Sequence, residues 1–328
     1  MTHDSAPRSP GLARRAALRA FALTAGAAAL PGAFGFLHSA HAEESPSPTA
    51  SPAGSPPPKL TLTNLGGMLT HIAGSGGNIL VLGGPDNAVV IDSGLPDLAG
   101  RTATEARKGG PIALLINTHW HYDHVGANEI LAKSGVRLMA HANTRQRMAV
   151  EHNLEPLGLT VPAAAAGALP RITFTHETRL SMNDEEIRLV PAPPAHTDGD
   201  VIVHFEKADV IHAGDTFFHR SYPFIDYSSG GWIGGMVAAA KMVATMTGPG
   251  TRIMPGHGPL ATADEFKQYV DFLETMLERF TKLKEQGRSV DEVVAAQPAK
   301  EFDEKFGKGF MKPEPFVRIA YEGLLRHK

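Results

Sequence analysis

The side chains best suited to chemistry lie together in one short stretch, residues 119–124, with the sequence His-Trp-His-Tyr-Asp-His. Imidazoles and a carboxylate are ligands that suit Zn²⁺ or a similar first-row metal. The stretch follows the apolar run Ile112–Ile116, which predicts a buried strand. Because a strand is a rigid element, it would hold these side chains in a fixed geometry, as a metal site requires.

The spacing within the stretch indicates two binding directions. His119 and His121 are two positions apart, so in extended backbone they point to the same side and can bind one ion. Asp123 and His124 follow where the sequence predicts a helix over 125–133, and they would point away from the first pair toward a second ion. For Asp123 alone, a helix N-cap is the simpler interpretation. The four side chains together favour metal binding.

Three further metal-capable residues lie later in the chain, at His196, Asp215 and His257. Each follows a strand-like apolar segment and lies in a loop with glycine or proline. A single histidine or aspartate in a loop is usually just solvated. As a set, the three would complete the ligands that the first stretch cannot supply alone.

This ordered pattern resembles the metal-ligand set of the metallo-β-lactamase superfamily, over about residues 60–260. The resemblance implies an α/β fold, a four-layer αβ/βα sandwich. It also implies two metal sites joined by one carboxylate. The first metal would be held by His119, His121 and His196, the second by Asp123, His124 and His257, with Asp215 as the bridge.

Two aspartates are expected to act beside the metals. Asp92, in the segment Val-Val-Ile-Asp-Ser-Gly, resembles the superfamily's early aspartate. By that resemblance it is not a ligand but an acceptor that orients a ligand or the backbone of the metal loop. A turn residue after a strand is the alternative. Asp123 is expected to orient the nucleophile and to shuttle a proton.

The residue type at 215 narrows the expected chemistry. Many β-lactamases of the superfamily carry cysteine at the matching position or leave it without a ligand, and this chain has no cysteine. A bridging aspartate resembles glyoxalase II, lactonases and related hydrolases. In a two-metal site the pKa of bound water falls from about 16 to about 7, so that hydroxide can attack a carbonyl. The expected cofactor is Zn²⁺, two ions per chain, with Fe or Mn as alternatives.

The sequence therefore predicts an exported binuclear zinc hydrolase acting on an ester, thioester or lactone. The site would stay positively charged, so a small anionic substrate is expected. His219 and Arg220 are candidates for binding its anionic group, with packed loop residues as the alternative. A β-lactamase acting on β-lactam amides is a second hypothesis. The segment 217–226 resembles periplasmic zinc hydrolases linked to quinoprotein or sulfur oxidation, so a metal-binding accessory role is a third.

Residues 1–42 predict an export signal. Arg14 and Arg15 precede an apolar stretch, and residues 40–42 (Ala-His-Ala) fit a small-x-small cleavage site. The pattern resembles a twin-arginine signal and predicts a periplasmic protein, with an ordinary secretory signal as the alternative. Glycine, proline and arginine interrupt the apolar stretch, so no stable membrane span is expected after signal removal.

The rest of the chain divides into a Ser/Pro-rich linker (43–59), a catalytic domain (60–262) and a helical extension packed on it (263–328). The extension does not resemble the glutathione-binding domain of glyoxalase II, which disfavours a glutathione thioester. Its helices are expected to cover the site or to form a homodimer contact. The net charge of −3 offers no basic surface for nucleic acid.

Short apolar segments bounded by turn residues predict strands at 78–82, 88–91, 136–140, 172–174, 178–180, 187–190, 201–205 and 210–211. We assign those from 172 onward to the second half of the sandwich. Helices are predicted at 236–246, 264–286 and 316–325, with a further helix opening at Ser289 in a capping-box pattern.

Overall fold

The computed structural model describes residues 59–327, and the structural statements that follow concern those residues. The predicted export signal and nearly all of the predicted linker lie outside them. Within 59–327, none of the helices combines the length and apolar character needed to span a bilayer.

The strands are joined by short turns in some places and by helices and long loops in others. In chain order they are β1 (Thr61–Gly66), β2 (Leu69–Ala73), β3 (Ile79–Leu82), β4 (Ala88–Ile91), β5 (Ile112–Asn117), β6 (Arg137–His141), β7 (His152–Leu154), β8 (Leu159–Val161), β9 (Ile172–Phe174), β10 (Thr178–Met182), β11 (Glu185–Pro191), β12 (Val201–Phe205), β13 (Val210–His212), β14 (Arg252–Met254) and β15 (Ala261–Thr262). The helices are α1 (Ala99–Ala106), α2 (Tyr122–Val125), α3 (Asn128–Lys133), α4 (Ala142–Met148), α5 (Ile233–Thr245), α6 (Ala263–Glu285), α7 (Val290–Ala295), α8 (Asp303–Phe306) and α9 (Pro313–Arg326).

Two sheets pack face to face. The first has seven strands in the order β1-β2-β3-β4-β5-β6-β9, and the second has six in the order β10-β11-β12-β13-β14-β15. β7 and β8 form a separate hairpin. The parallel pairs β4–β5 and β13–β14 lie inside the two sheets, and the loops after β5, β13 and β14 carry predicted ligands.

The hydrophobic core explains the layering. Along β4, Val89 and Ile91 join a cluster shared by the two sheets, whereas Ala88 and Val90 join one shared with α1 and α3. This is the two-residue alternation of a strand that is buried on both faces. A third cluster joins β12, β13 and β14 to α5, α6 and α9. The fold is therefore the predicted four-layer αβ/βα sandwich.

Most predicted elements are present, and two assignments were wrong. The predicted helix 125–133 is not continuous: α2 ends at Val125 and α3 begins at Asn128, because the Gly126 backbone N–H donates to the Gly94 carbonyl at 2.7 Å instead of to the preceding helical turn. The strand at 172–174 belongs to the first sheet, where it pairs in parallel with β6, and not to the second half. The apolar pattern of a strand indicates which of its residues are buried, but it does not indicate which strand pairs with it.

Candidate metal centre

The first group of donor atoms comes from the loops after β5, β11 and β13. His119, His121, His196 and Asp215 place one potential ligand atom each within 4.8 Å of the others, and all four residues are buried. His196 Nε2 lies 2.8 Å from His121 Nδ1. Asp215 Oδ2 lies 3.6 Å from His196 Nε2 and 3.9 Å from His119 Nε2. Such a convergence of unlike ligands from three loops is the arrangement that a metal ion requires.

The second group lies on the other side of Asp215. Asp123, His124 and His257 also bring their ligand atoms within 4.8 Å of one another. His257 Nε2 lies 3.3 Å from His124 Nε2 and 3.2 Å from Asp123 Oδ2. Asp123 and His124 stand on the short helix α2, which turns them away from the direction of the first group, as the spacing predicts.

The Asp215 carboxylate contacts both groups. Its Oδ1 lies 3.1 Å from His124 Nε2, and its Oδ2 lies 3.3 Å from His257 Nε2 in addition to its contacts with the first group. Gly256 makes this placement possible, because a Cβ at that residue would occupy the space of the carboxylate. Asp215 is thus the one carboxylate of the cluster that lies between the two sets of ligands.

His119 is the clearest sign that the cluster is built for a cation. Thr118 donates its hydroxyl hydrogen to Asp92 at 2.7 Å, so the same oxygen accepts a hydrogen bond from His119 Nδ1 at 3.0 Å. The proton of the neutral ring is therefore on Nδ1, and His119 Nε2 carries a lone pair. This nitrogen is buried without a hydrogen-bond partner among the described residues. A buried acceptor without a partner is costly, and a bound metal would satisfy it.

Two other histidines of the first group are held in the same way. His196 Nδ1 donates to the carbonyl of Phe224 at 2.8 Å, which leaves Nε2 free to face the cluster. His121 Nε2 contacts Asp226 Oδ2 at 3.1 Å, which leaves Nδ1 free. Hydrogen bonds on the far nitrogen orient a metal-binding imidazole and raise its basicity.

The protonation states of the two groups differ. Burial lowers the pKa of His119 well below its usual value, and it lowers that of His196 to about 4, so both rings are neutral. Burial also disfavours charge on His257 and His124, but the carboxylates of Asp215 and Asp123 outweigh it. They raise the pKa of His257 to about 10 and that of His124 well above its usual value. In the metal-free cluster, the protonated rings of His257 and His124 therefore balance the negative charge of the carboxylates.

Asp92 lies behind the second group. Its carboxylate contacts His124 Nδ1 at 2.8 Å and accepts hydrogen bonds from the Thr118 backbone N–H and hydroxyl, each at 2.7 Å. It thus touches both a candidate ligand and the backbone of the metal loop. The backbone of Asp92 has a φ of 61°, in the left-handed region, which an aspartate tolerates better than most residues.

Asp226 is a site residue that sequence reasoning did not identify. It is fully buried and contacts the far nitrogen of His121, while its other oxygen accepts the backbone N–H of Ser228 at 3.0 Å. Burial alone would raise its pKa, but the bond with His121 outweighs it and lowers the value to about 2. The local sequence predicts a capped turn here and carries no sign of a contact with a histidine 105 residues earlier.

Asp200 positions the third loop and was also missed. One of its oxygens accepts the backbone N–H groups of His196 and Thr197, at 2.8 and 2.9 Å, and the other accepts the Thr197 hydroxyl. The signal was available in the sequence, since an aspartate four residues after a loop histidine can close the loop through its backbone.

His219 and Arg220 are not brought to the cluster. His219 Nδ1 donates to the Pro259 carbonyl at 2.8 Å, and its Nε2 lies 3.6 Å from Glu265. Arg220 is exposed and lies 3.4 Å from the same glutamate. Neither side chain lines the cavity beside the ligands. The expectation that they bind an anionic group therefore has no geometric support, because Glu265 at the start of α6 already partners both.

A cavity of about 310 Å³ opens beside the two ligand groups. His121, Asp123, Asp215 and His257 form its polar floor. Its walls are apolar side chains that include Leu95, Leu154, Leu157, Phe218 and Phe310. No lysine or arginine is among the residues that line it. A cleft with a polar floor and apolar walls is typical of a small-molecule site.

The chain belongs to the metallo-beta-lactamase superfamily, whose family model matches residues 72–271. All seven candidate ligands and Asp92 lie inside this range. The membership agrees with the four-layer fold and with the order of the ligands along the chain.

Two curated relatives bear hydrolase names. Over 147 residues the chain is 27% identical to the probable metallo-hydrolase YflN of Bacillus subtilis, covering 40% of this chain and 56% of that protein. Over 133 residues it is 30% identical to hydroxyacylglutathione hydrolase of Rhodospirillum rubrum, covering 39% of this chain and 42% of that protein. The chain thus spans about half the length of the curated relatives it matches.

Among solved structures, the sec-alkylsulfatase Pisa1 from Pseudomonas sp. superposes with a TM-score of 0.60 at 15% identity. The superposition covers 80% of this chain and 50% of that one. At this identity the similarity concerns the fold alone.

Proposed function

We propose that this protein is an exported binuclear zinc hydrolase that cleaves an ester, thioester or lactone bond. The observation that carries the proposal is the arrangement of seven buried or half-buried donors in two groups joined by Asp215, with the lone pair of His119 Nε2 unpartnered. His119, His121 and His196 would hold one ion, and Asp123, His124 and His257 the other. When bound, the ions would supply Lewis acidity and an acidified water as the nucleophile.

The chain's own residues have separate tasks in this reaction. Asp92 and Asp226 hold the far nitrogens of His124 and His121, so these rings cannot rotate away from the cluster. Asp123 lines the cavity and is about one-fifth exposed, so it can meet an incoming water molecule. The pKa of Asp123 is lowered to about 2, because the adjacent His124 outweighs the effect of burial. As a carboxylate it can orient water and accept its proton.

The charge of the cavity supports an acyl substrate. With no lysine or arginine in its lining, the cavity offers little to a permanent anion beyond the metal-binding floor. The negative charge that such a site would favour is the one that develops on the carbonyl oxygen during attack. If the substrate carries the anionic group expected from the sequence, that group should lie next to the bond that is cleaved, close to the metal-binding residues.

A β-lactamase is the second candidate, and Asp215 counts against it because cysteine is the residue of many superfamily members with that activity. The related hydroxyacylglutathione hydrolase makes a glutathione thioester a useful test substrate. The C-terminal helices of this chain do not resemble a glutathione-binding domain, so we expect it to be a poor one.

A substrate panel tests the proposal. The purified protein loaded with Zn²⁺ is assayed on p-nitrophenyl esters, an acyl thioester, a lactone and nitrocefin, with the metal content measured by elemental analysis. We expect about two metals per chain and higher kcat/KM on esters, thioesters or lactones than on nitrocefin. Dominant nitrocefin turnover would reverse the ranking. A protein that binds metal and turns over none of these substrates would favour the accessory role in a periplasmic oxidation system.

The proposed periplasmic location depends on the N-terminal segment and is tested separately. Replacing Arg14 and Arg15 by lysine should leave the protein in the cytoplasm if export uses the twin-arginine route. Cell fractionation of the full-length chain and of this variant measures the outcome. Unchanged export of the variant would point to an ordinary secretory signal.

A further inference from the structure

Phe310 is the most exposed of the large apolar side chains in the described part of the chain. Its exposed fraction is 73%, whereas the next value is 53%, for Val150. Phe310 also lines the cavity that contains the candidate metal ligands. A single exposed apolar side chain is common on protein surfaces, but this ring also borders a cavity that combines apolar walls with a few polar groups, which is typical of a small-molecule site.

The loop that carries Phe310 is fixed to the metal centre's own loop. The Tyr222 backbone N–H donates to the Phe306 carbonyl at 3.0 Å, and Tyr222 forms a β-bridge with Met311. Gly309 packs so closely on Ser221 that a Cβ there would collide with it. The segment 307–311 of the C-terminal extension is thereby held against the chain between Asp215 and Asp226. Phe310 is therefore presented by an anchored loop.

A second part of the cavity wall comes from the hairpin of β7 and β8. Leu154, at the end of β7, is buried, and Leu157, in the turn that follows, is half-buried; both line the cavity. The hairpin is short, and its two strands pair only with each other. Two segments far apart in the chain thus contribute apolar side chains to the cavity that contains the candidate ligands.

We propose that Phe310, Leu154 and Leu157 form an acyl-binding cleft, so that the preferred substrate carries an uncharged apolar acyl chain of several carbons. The inference rests on the proposed hydrolase function. In the reaction, the acyl carbon gains the oxygen of water, its bond to the leaving group breaks, and the leaving group takes up a proton. The cleft contributes by burying the chain next to that carbon, since each methylene removed from water stabilises the bound state.

Acyl chain length is the variable that tests the cleft. The metal-loaded protein is assayed on p-nitrophenyl acetate and p-nitrophenyl hexanoate, which share a leaving group. We expect kcat/KM to be about tenfold higher for the hexanoate. Phe310→Ala should lower kcat/KM for the hexanoate more than for the acetate, chiefly through KM, and so remove most of that advantage, with the same metal content as the unmodified protein. Leu157→Ala, in the turn after β7, should act in the same direction.

Met68→Ala is the matched control, because Met68 is also an exposed apolar residue (42%) but lies in the turn between β1 and β2. It should leave the ratio of the two esters unchanged. As a second readout, Phe310→Ala should weaken binding of the apolar fluorophore anilinonaphthalene sulfonate to the metal-free protein, and Met68→Ala should not.

The outcomes separate the two proposals. Hydrolysis of both esters with equal efficiency, or a chain-length preference that Phe310→Ala and Leu157→Ala both leave intact, would overturn the acyl cleft and leave the hydrolase function standing. Absence of turnover on every ester, thioester and lactone by the unmodified, metal-loaded protein would overturn the hydrolase function itself.

Discussion

The two ligand groups have the same kinds of donors and very different surroundings. In the first, His119, His121 and His196 are at most 5% exposed, and the far nitrogen of each ring is hydrogen-bonded. In the second, His257 is 33% exposed and Asp123 is 20% exposed, and both line the cavity. The first group is built to hold an ion rigidly, whereas the second is built to meet solvent and substrate.

The two ligand groups also differ in the protonation of their histidines. In the first group, burial keeps His119 and His196 neutral and ready to bind, whereas the carboxylates around His124 and His257 keep those rings protonated until a cation replaces the protons. Metal binding at the second group should therefore release protons and depend on pH, whereas binding at the first should do so far less.

Removal of the Asp215 carboxylate should have the largest effect on metal content and activity. Asp215→Ala removes the carboxylate that touches both groups, and we expect it to lose the second metal and to lower kcat/KM by about a thousandfold or more. Elemental analysis and steady-state kinetics measure the two effects. Asp184→Ala is the control, because that side chain is 90% exposed and lies far from the cluster in the second sheet's β10–β11 turn. Two retained metals and an unchanged rate in Asp215→Ala would refute the bridging role.

Removing one histidine from each group should have unequal effects on metal content and thermal stability. His196→Ala deletes a fully buried ligand, so we expect loss of both metals and a lower thermal midpoint. His257→Ala deletes a half-exposed ligand, so we expect one metal to remain and the midpoint to change little. Both should lower activity by about a hundredfold or more. Equal metal loss in the two variants would mean that the groups do not differ as their burial indicates.

The residues behind the ligands should give smaller and selective effects. Asp226→Asn weakens the support of His121, and Asp92→Asn weakens that of His124, so we expect each to lower metal affinity by about 10- to 100-fold. Competition with a chromophoric chelator should show the loss in the tighter of two binding steps for Asp226→Asn and in both steps for Asp92→Asn, because Asp92 contacts His124 and also holds the Thr118 hydroxyl that orients His119. Loss confined to the tighter step for both variants would contradict the role of Asp92 behind His124.

The smallest expected effect is a pH dependence of the metal-free protein. The pKa of His257 is raised to about 10, from about 6.5 in an unfolded chain, so its protonation stabilises the fold fully below pH 6.5. This contribution is lost as the pH rises through 10. The free energy of unfolding of the metal-free protein, measured by urea denaturation, should therefore fall between pH 6.5 and 10, and His257→Ala should remove part of the slope. A flat profile would contradict the proposed proton-for-metal exchange.

Much of the fold followed from the sequence. Strands with strict burial on both faces, such as Ala88–Ile91, and helices with caps, such as the one that opens at Ser289, were found because their signals are local. The partner of the strand at 172–174 and the break at Gly126 were not found, because each depends on a distant backbone segment that packs against it.

For the site, the sequence by itself determined which side chains can bind metal and in what order, since only certain residue types can do so and their spacing within 119–124 is short-range. The tertiary structure alone decided what surrounds them. His121 meets His196 and Asp226 across 75 and 105 residues, and Phe310 reaches the cavity from the C-terminal extension. Those contacts depend on how the two sheets and the extension pack, and packing is a property of the whole chain rather than of any short segment.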